Sequence, residues 1–399
     1  MTYKHAVYEK TGLRRVATYG LLASLFLITT MLFGCEQIQR VVFTGSRDAS
    51  IRIGFLYSSP LPGTTRNGAE LAVHQLNQEG GVNGIPIHLI ARDDKHDTSR
   101  SVELAEELIT KEGILGLIGP DWSRHALRVA PVAQRHEIPM VTTYPTNPTV
   151  PNAGDFVFMC AFTDAFQGEL ISKFAVESLG VTTAAILTET GRAYSEGLSQ
   201  FFANSFTARG GTILMQQFYA KGDTDFTEQL TAIAEDTPDV LFVPGFVPEV
   251  PLAIRQAKED IGLTVTFLGG DGWDAPELIS TGGMALEGSF FINHFLAQPT
   301  AELVSEDTRQ FVAAYTSMFG ILPDGPASLG YDAVRIMVQA MQRSKDLTPR
   351  NIRDQIAATT DYSGAAILSR YDENRHAIKS GVINIIKDGE VQLHQVIKP

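Results

Sequence analysis

The sequence predicts an α/β protein of two lobes, each a doubly wound parallel sheet, with a cleft between them. Three observations predict it. Short apolar runs alternate with helical patterns from Ile51 to Thr142, the order that gives crossovers onto one parallel sheet. The alternation breaks after Thr142 and then resumes with a strand at Phe156–Ala161, continuing as far as Val265–Leu268, so a second sheet of the same kind follows. Glycine-bearing turns, Gly119-Pro120 and Gly269-Gly270-Asp271-Gly272-Trp273, close a strand in each half. Strand ends of this sort are where open α/β sheets hold ligands.

Length and composition agree. The chain has 399 residues, 44% hydrophobic and 19% charged, which suits two core-bearing domains. Its formal charge is −13, and no basic cluster lies beyond the first fifteen positions, which argues against nucleic acid as a partner.

The amino terminus reads as a targeting segment. Lys4, Lys10, Arg14 and Arg15 precede the apolar run Val16–Phe33 and then Gly34-Cys35, a positive region followed by an apolar one. Leu32-Phe33-Gly34-Cys35 looks like a bacterial lipobox. Residues 1–34 are then a lipoprotein signal peptide, Cys35 carries lipid, and 35–50 form a tether. An uncleaved signal anchor is the alternative. Both put the remainder outside the cytoplasm, in the periplasm or at the cell surface. With Cys35 lipidated only Cys160 remains, so no intrachain disulfide forms. Cys160 lies in an apolar strand and is expected to be buried and inert.

The elements follow in order. Ile51–Tyr57 is the first strand, Ser58–Asn67 a loop, and a helix runs on from Ala69 to Leu76. Ile87–Ala91 is a strand and Ser101–Lys111 a helix. Ile114–Ile118 is a strand, a helix opens at Ser123, and Ile138–Thr142 is the next strand. The second lobe is expected to hold strands at Ala184–Thr188, Thr212–Phe218, Val240–Val243, Val265–Leu268 and Ser289–Phe295. Helices lie between them, Phe166–Ser178 at their head. Helices at Thr308–Phe319, Ala327–Gln342 and Pro349–Ala358 come next, and strands at Ile367–Tyr371, Val382–Ile386 and Val391–Ile397 close the chain. The first lobe is assigned 51–162 plus 294–378, and the second 163–293 plus 379–399. Hinge strands are expected near Phe162, His294 and Ile378.

The chemistry gathers at strand ends. The turn before Ser123 offers free helix N-terminal N–H groups and a hydroxyl, which suit a carboxylate. The same serine also serves as a plain helix cap. The neighbouring turn offers the Tyr144 carbonyl and the Thr146 hydroxyl, both acceptors for an ammonium group. In the second lobe Asp274-Ala275-Pro276-Glu277 has capping-box spacing, which leaves Asp271 to face the cleft. Tyr194 sits at another strand-to-helix turn, where it can close over a ligand.

Six strings stand out: GAELAVHQLNQEGGVNGIPIHLIARDD at 68–94, LIGPDWS at 117–123, TNP at 146–148, GDTDF at 222–226, LGGDGWDAPEL at 268–278 and LGYDAVR at 329–335. With them the chain resembles the leucine/isoleucine/valine-binding protein family, the type I periplasmic solute-binding proteins of ABC importers, from Ile51 almost to its end. The resemblance implies two Rossmann-like lobes joined by hinge strands and an amino acid bound in the interlobe cleft. It also implies permease and ATPase subunits as partners, with the lipid at Cys35 holding the protein to a membrane. On the family's pattern Ser123 holds the ligand carboxylate, and Tyr144 and Thr146 complete the first-lobe contacts. Tyr194 and Asp271 reach over from the second lobe, Asp271 taking the ammonium. Where the family carries a disulfide this chain has His96 and Trp122, and Phe246 replaces a second pocket tyrosine. Trp122, Phe246, Tyr144 and Phe162 then suit a large hydrophobic, branched or aromatic side chain. Trp122 and Trp273 are both expected to border the cleft.

Two other readings share these residues. A sensor domain for an amide or an aromatic acid keeps the fold and changes the role. A hydrolase using Ser123 requires a relay that Asp121 and His125, its neighbours in sequence, are ill placed to supply. His88, Asp93, Asp94, His96 and Asp97 match no zinc spacing, and no G-x-G-x-x-G or Walker loop occurs. No cofactor is expected.

Overall fold

A computed structural model describes residues 50–59, 63–297 and 305–397. The targeting segment, Cys35 and the tether up to Ala49 lie outside the described residues. From Ser50 onward the chain forms one compact unit.

The first lobe opens with β1 (Ile51–Tyr57), α1 (Gly63–Gln78), β2 (Ile87–Asp93), α2 (Thr98–Thr110) and β3 (Gly116–Ile118). It continues with α3 (Ser123–Arg135), β4 (Met140–Thr142) and β5 (Val157–Met159). Its sheet is wholly parallel, in the order β2-β1-β3-β4-β5. Helices cover both faces, so its strands are buried on both sides and read as continuous apolar runs. Ile51, Ile53, Phe55 and Leu56 are all fully buried. The strand order reverses between β1 and β3, and Ser123 follows the end of β3, at that switch point.

The second lobe holds α4 (Asp164–Lys173), β6 (Thr183–Glu189), α5 (Ala193–Ala208), β7 (Thr212–Tyr219), α6 (Thr227–Asp236) and β8 (Val240–Phe242). After these come α7 (Glu249–Gln256), β9 (Thr266–Gly269), α8 (Glu277–Gly282) and β10 (Phe290–Asn293). The chain then returns to the first lobe with α9 (Glu306–Phe319), α10 (Gly325–Arg343) and α11 (Pro349–Ala357). A small antiparallel sheet follows, β11 (Thr360–Ser363), β12 (Ile367–Tyr371) and β13 (Ala377–Lys379). It ends with β14 (Gly381–Lys387) and β15 (Glu390–Ile397) on the second sheet. That sheet has the order β15-β14-β10-β9-β8-β6-β7.

Three expectations need correction. The second sheet is mixed, because β14 and β15 add to it antiparallel. Strand β11 escapes the sequence reading, since Thr360, Asp361 and Ser363 are polar and exposed and show no apolar alternation. Helix α1 begins at Gly63, so Thr64 and Thr65 belong to its first turn rather than to a loop reaching Asn67.

The polypeptide passes between the lobes three times. Ala161 packs in the first-lobe core and Phe162 in the second; Ile292 and Phe295 divide the same way, as do Ala377 and Ile383.

Two of the strings singled out in the sequence meet in space. Helix α10 lies against α1 so closely that a Cβ on Gly68 would stand 1.9 Å from the Ala327 carbonyl oxygen. One on Gly330 would stand 2.0 Å from that of Thr65. Any side chain there forces the backbones apart. Gly68→Val is expected to cost about 1–3 kcal/mol of stability, as overpacking does, read as a lower urea midpoint. An unchanged midpoint would contradict the close approach.

Candidate functional site

The site is built at the carboxyl ends of the first-lobe strands. Asp121, fully buried, accepts from the Thr143 hydroxyl at 2.8 Å and from the Ser58 N–H at 3.2 Å. It thereby ties together the turns after β3, β4 and β1. Burial pushes its carboxyl up to about 7. Ser123 is the first residue of α3 and is buried, and Trp122 stands at the cap position without a side-chain cap bond. Ser123 is therefore not the plain cap. Its hydroxyl and the N–H groups of Ser123 and Arg124, at the open end of the helix, lie at the switch point; the His125 N–H is already taken by the Trp122 carbonyl at 3.0 Å. Thr146 is buried, and its carbonyl accepts from the Asp164 N–H of the second lobe at 2.7 Å.

Opposite stands the turn Asp271–Trp273. Its backbone is pinned from three sides. The Tyr144 hydroxyl donates to the Asp271 carbonyl across the cleft, Gln167 Oε1 accepts from the Asp271 N–H at 3.2 Å, and the Tyr194 hydroxyl accepts from the Gly272 N–H at 3.1 Å. Asp271 is buried, with Oδ2 at 2.9 Å from His294 Nε2 and Oδ1 without a partner. Burial lowers the pKa of His294, so the ring is neutral near pH 7 and donates from Nε2. Phe162 stacks on that ring at 3.7 Å between centroids. It lies in the second-lobe core behind His294, not on the cavity wall.

Sequence reasoning placed a crossing at His294 but missed its part in the site. The signal was a histidine between an apolar strand and Phe295, with nothing to pair it with an aspartate 23 positions away.

The aromatic residues form a ladder across the cleft. Trp122 meets His96 edge-on at 5.0 Å and Phe246 at 5.1 Å, and Phe246 lies 4.9 Å from Tyr194. The Arg192 guanidinium sits 4.7 Å over Phe246 and 5.8 Å from Trp122, held by Glu189. A cavity of about 60 Å³ lies between the lobes, walled by Trp122, Tyr144, Phe246, Asp274, Asp324 and Pro326 among others. Ligand pockets usually measure about 300–1,000 Å³. The lobes are thus closed, and a ligand enters only when they part.

Two further expectations are corrected here. Asp274 does not cap its own helix. Its Oδ2 accepts from the Gly325 N–H at 2.6 Å, across the cleft at the start of α10, where Asp324 accepts from the Ala327 N–H at 2.9 Å. Burial raises Asp274 to about 6 and Asp324 to about 7. Trp273 is fully buried in its own lobe, its Nε1 donating to the Val243 carbonyl at 2.9 Å. Only Trp122 borders the cleft.

The residues weighed for other chemistry are held elsewhere. Asp94 accepts from Ser58, Ser101 and the His96 N–H and pairs with His125 Nδ1 at 2.8 Å, while Asp97 caps α2. His125 and Asp121 are thus both engaged away from Ser123, and no relay runs to its hydroxyl. Among the described residues no three His, Cys, Asp or Glu side chains gather as a metal site. Cys160 is buried, and its thiol is pushed up to about 12.

Comparison with known proteins agrees with this architecture. The profile of the periplasmic binding protein family matches residues 50–389. A Leu/Ile/Val-binding protein of Rhizobium johnstonii is 30% identical over 264 residues, which are 64% of this chain and 71% of that protein. The crystal structure of a leucine-binding protein from Thermotoga maritima is 35% identical and superposes with a TM-score of 0.81, over 88% of this chain and 99% of that one. A branched-chain amino acid transporter substrate-binding protein from Streptococcus pneumoniae, solved with isoleucine, is 27% identical with a TM-score of 0.80, over 88% and 100%. By profile, sequence and fold, the chain belongs to the periplasmic binding protein family, in its leucine/isoleucine/valine-binding branch.

Proposed function

We propose that this chain is the solute-binding lipoprotein of an ABC importer, held to a membrane by lipid on Cys35, and that it binds a free α-amino acid with a large hydrophobic side chain. At family level it is a solute-binding protein of the extracytoplasmic space rather than an enzyme.

One observation carries the choice of ligand. A helix N-terminus with Ser123 stands on one lobe, and the Asp271 carboxylate, with Oδ1 unpaired, stands on the other. A zwitterion needs donors at one end and a carboxylate at the other, because an unmatched buried charge is costly. Thr146 and the Tyr144 carbonyl serve as further acceptors for the ammonium. Tyr194 supports the Asp271 turn from behind. Trp122, Phe246 and Tyr144 present the apolar wall that receives the side chain.

Three experiments test this reading. Asp271→Ala is expected to weaken binding of the preferred amino acid by about 3–5 kcal/mol, the usual loss on breaking a buried pair. Calorimetry over a panel of amino acids and amides reads it, and equal affinity for a ligand without an ammonium group would overturn the assignment. Cys35→Ala is expected to abolish metabolic labelling with a fatty acid; intact labelling would refute the anchor.

The third concerns closure. Parting the lobes returns Asp274 and Asp324 to water and to ordinary carboxylate values, so the closed form holds protons more tightly. Its stabilisation is complete below about pH 4 and is lost as pH rises through about 6–7. Trp122 emission, which reports closure, is therefore expected to shift over that range in wild type and to stay flat in the Asp274→Asn/Asp324→Asn double variant. Identical profiles would show that the carboxylates do not govern closure.

A further inference from the structure

At the aromatic ladder two arginines come together from opposite lobes. Arg124 is the second residue of α3, on the first lobe, and Arg192 stands at the cap of α5, on the second. The Arg192 guanidinium sits over Phe246 and beside Trp122, and the Trp122 ring meets His96 edge-on. Arg124 reaches the same place from the other side, its Nη2 donating to the His96 carbonyl at 3.1 Å.

The charges there do not balance in pairs. Glu189, fully buried, accepts from Arg192 Nε and so answers that cation. Asp94 is engaged by His125, and Asp97 caps α2. Among the described residues no carboxylate pairs with Arg124, and its buried Nε has no partner. The Trp122 Nε1, two residues earlier, is buried and unpartnered as well. Burial, and after it the Arg192 charge, holds the Arg124 guanidinium below its usual range. The His96 ring adds no charge, since burial and then Arg124 push it down to about 4. Buried donors are normally satisfied, and orphaned ones need an explanation. Shutting the lobes also brings like charges together, which disfavours the closed form.

We propose that Arg124, Arg192 and the Trp122 N–H form an anion subsite shared by the two lobes, filled when they close on a ligand. A guanidinium offers forked N–H donors that suit a small anion, and here two of them approach from opposite sides with an indole donor beside them. One negative charge placed there answers the orphaned donors and relieves the repulsion together. It comes either from an acidic group at the end of the ligand's own side chain, beyond the apolar wall, or from a free small anion bound alongside. The subsite is distinct from the Ser123 turn, which the reading above gives to the α-carboxylate. The inference rests on that reading for the ligand that shuts the lobes and adds a second negative charge to it.

The test is calorimetry in two arms, with circular dichroism to check folding. In the first, sodium chloride replaces sodium gluconate at constant ionic strength while an amino acid is titrated. If the anion is free, wild type is expected to gain about tenfold in affinity, the scale of a charged hydrogen bond, and Arg124→Gln to stay flat. Arg128→Gln removes an exposed charge one turn along α3 and should follow wild type, which separates binding from general screening. In the second arm glutamate and 2-aminoadipate are each compared with their side-chain amides. If the anion belongs to the ligand, wild type should prefer the acids by about tenfold, without chloride dependence, and Arg124→Gln should lose that preference. Arg124→Lys should keep part of either effect, whereas a merely structural role would weaken every ligand alike whatever the anion. Should Arg124→Gln fail to fold, Arg192→Gln on the other lobe carries the same expectation. A wild type with neither chloride dependence nor a preference for acid over amide overturns this proposal and leaves the amino acid reading standing, as does a folded variant that keeps the wild-type effect in full. Failure of wild type to bind any amino acid in either salt would bring down both.

Discussion

A buried carboxylate has to be answered, and at Asp121 the answer organises the first lobe. Its two oxygens take a hydroxyl from the turn after β4 and an N–H from the turn after β1, and Asp121 itself sits in the turn after β3. Three strand ends are thereby held in register. Ser123, two residues on, inherits that fixed position, and so does the start of α3. The aromatic Trp122 between them is aimed across the cleft. Without this tie each turn has its own conformational freedom, and the free N–H groups have no common focus.

The second lobe solves the same problem differently. Its functional turn is held by backbone contacts from Gln167, Tyr194 and Tyr144, so that the Asp271 side chain is left to chemistry. His294 takes one of its oxygens. The ring is kept neutral by burial, so it orients the carboxylate without cancelling its charge. One lobe thus spends a carboxylate on architecture, while the other leaves an oxygen of Asp271 without a partner.

How much of this was legible depends on the range of the signal. The first-lobe strands read cleanly because a strand buried on both faces is a continuous apolar run. Strand β11 did not, being short and polar, and the buried Asp332 of α10 holds that region through Tyr362, Ala365 and Ala366. Ser123, Thr146 and Asp271 stood out since each is local to a strand-end turn. The capping box at Asp274 failed for an instructive reason: the string is right, but a nearer donor sits 51 residues away at Gly325. His294 was invisible as a site residue, since no periodicity links it to Asp271. The burial of Trp273 was equally hidden, as a neighbour of the cleft in sequence can turn its ring into the core of its own lobe.

The three passages of the chain between the lobes carry a consequence for biosynthesis. Part of the first-lobe core comes from α9 to β13, and the second sheet is finished only by β14 and β15. Neither lobe has the whole of its core until β13 and β14 have been made. A nascent chain of this topology therefore completes both cores only late in its synthesis. A protein of the extracytoplasmic space, as this family is, gains time before folding from being woven in this way. Two lobes strung one after the other would give the first of them every chance to fold too soon.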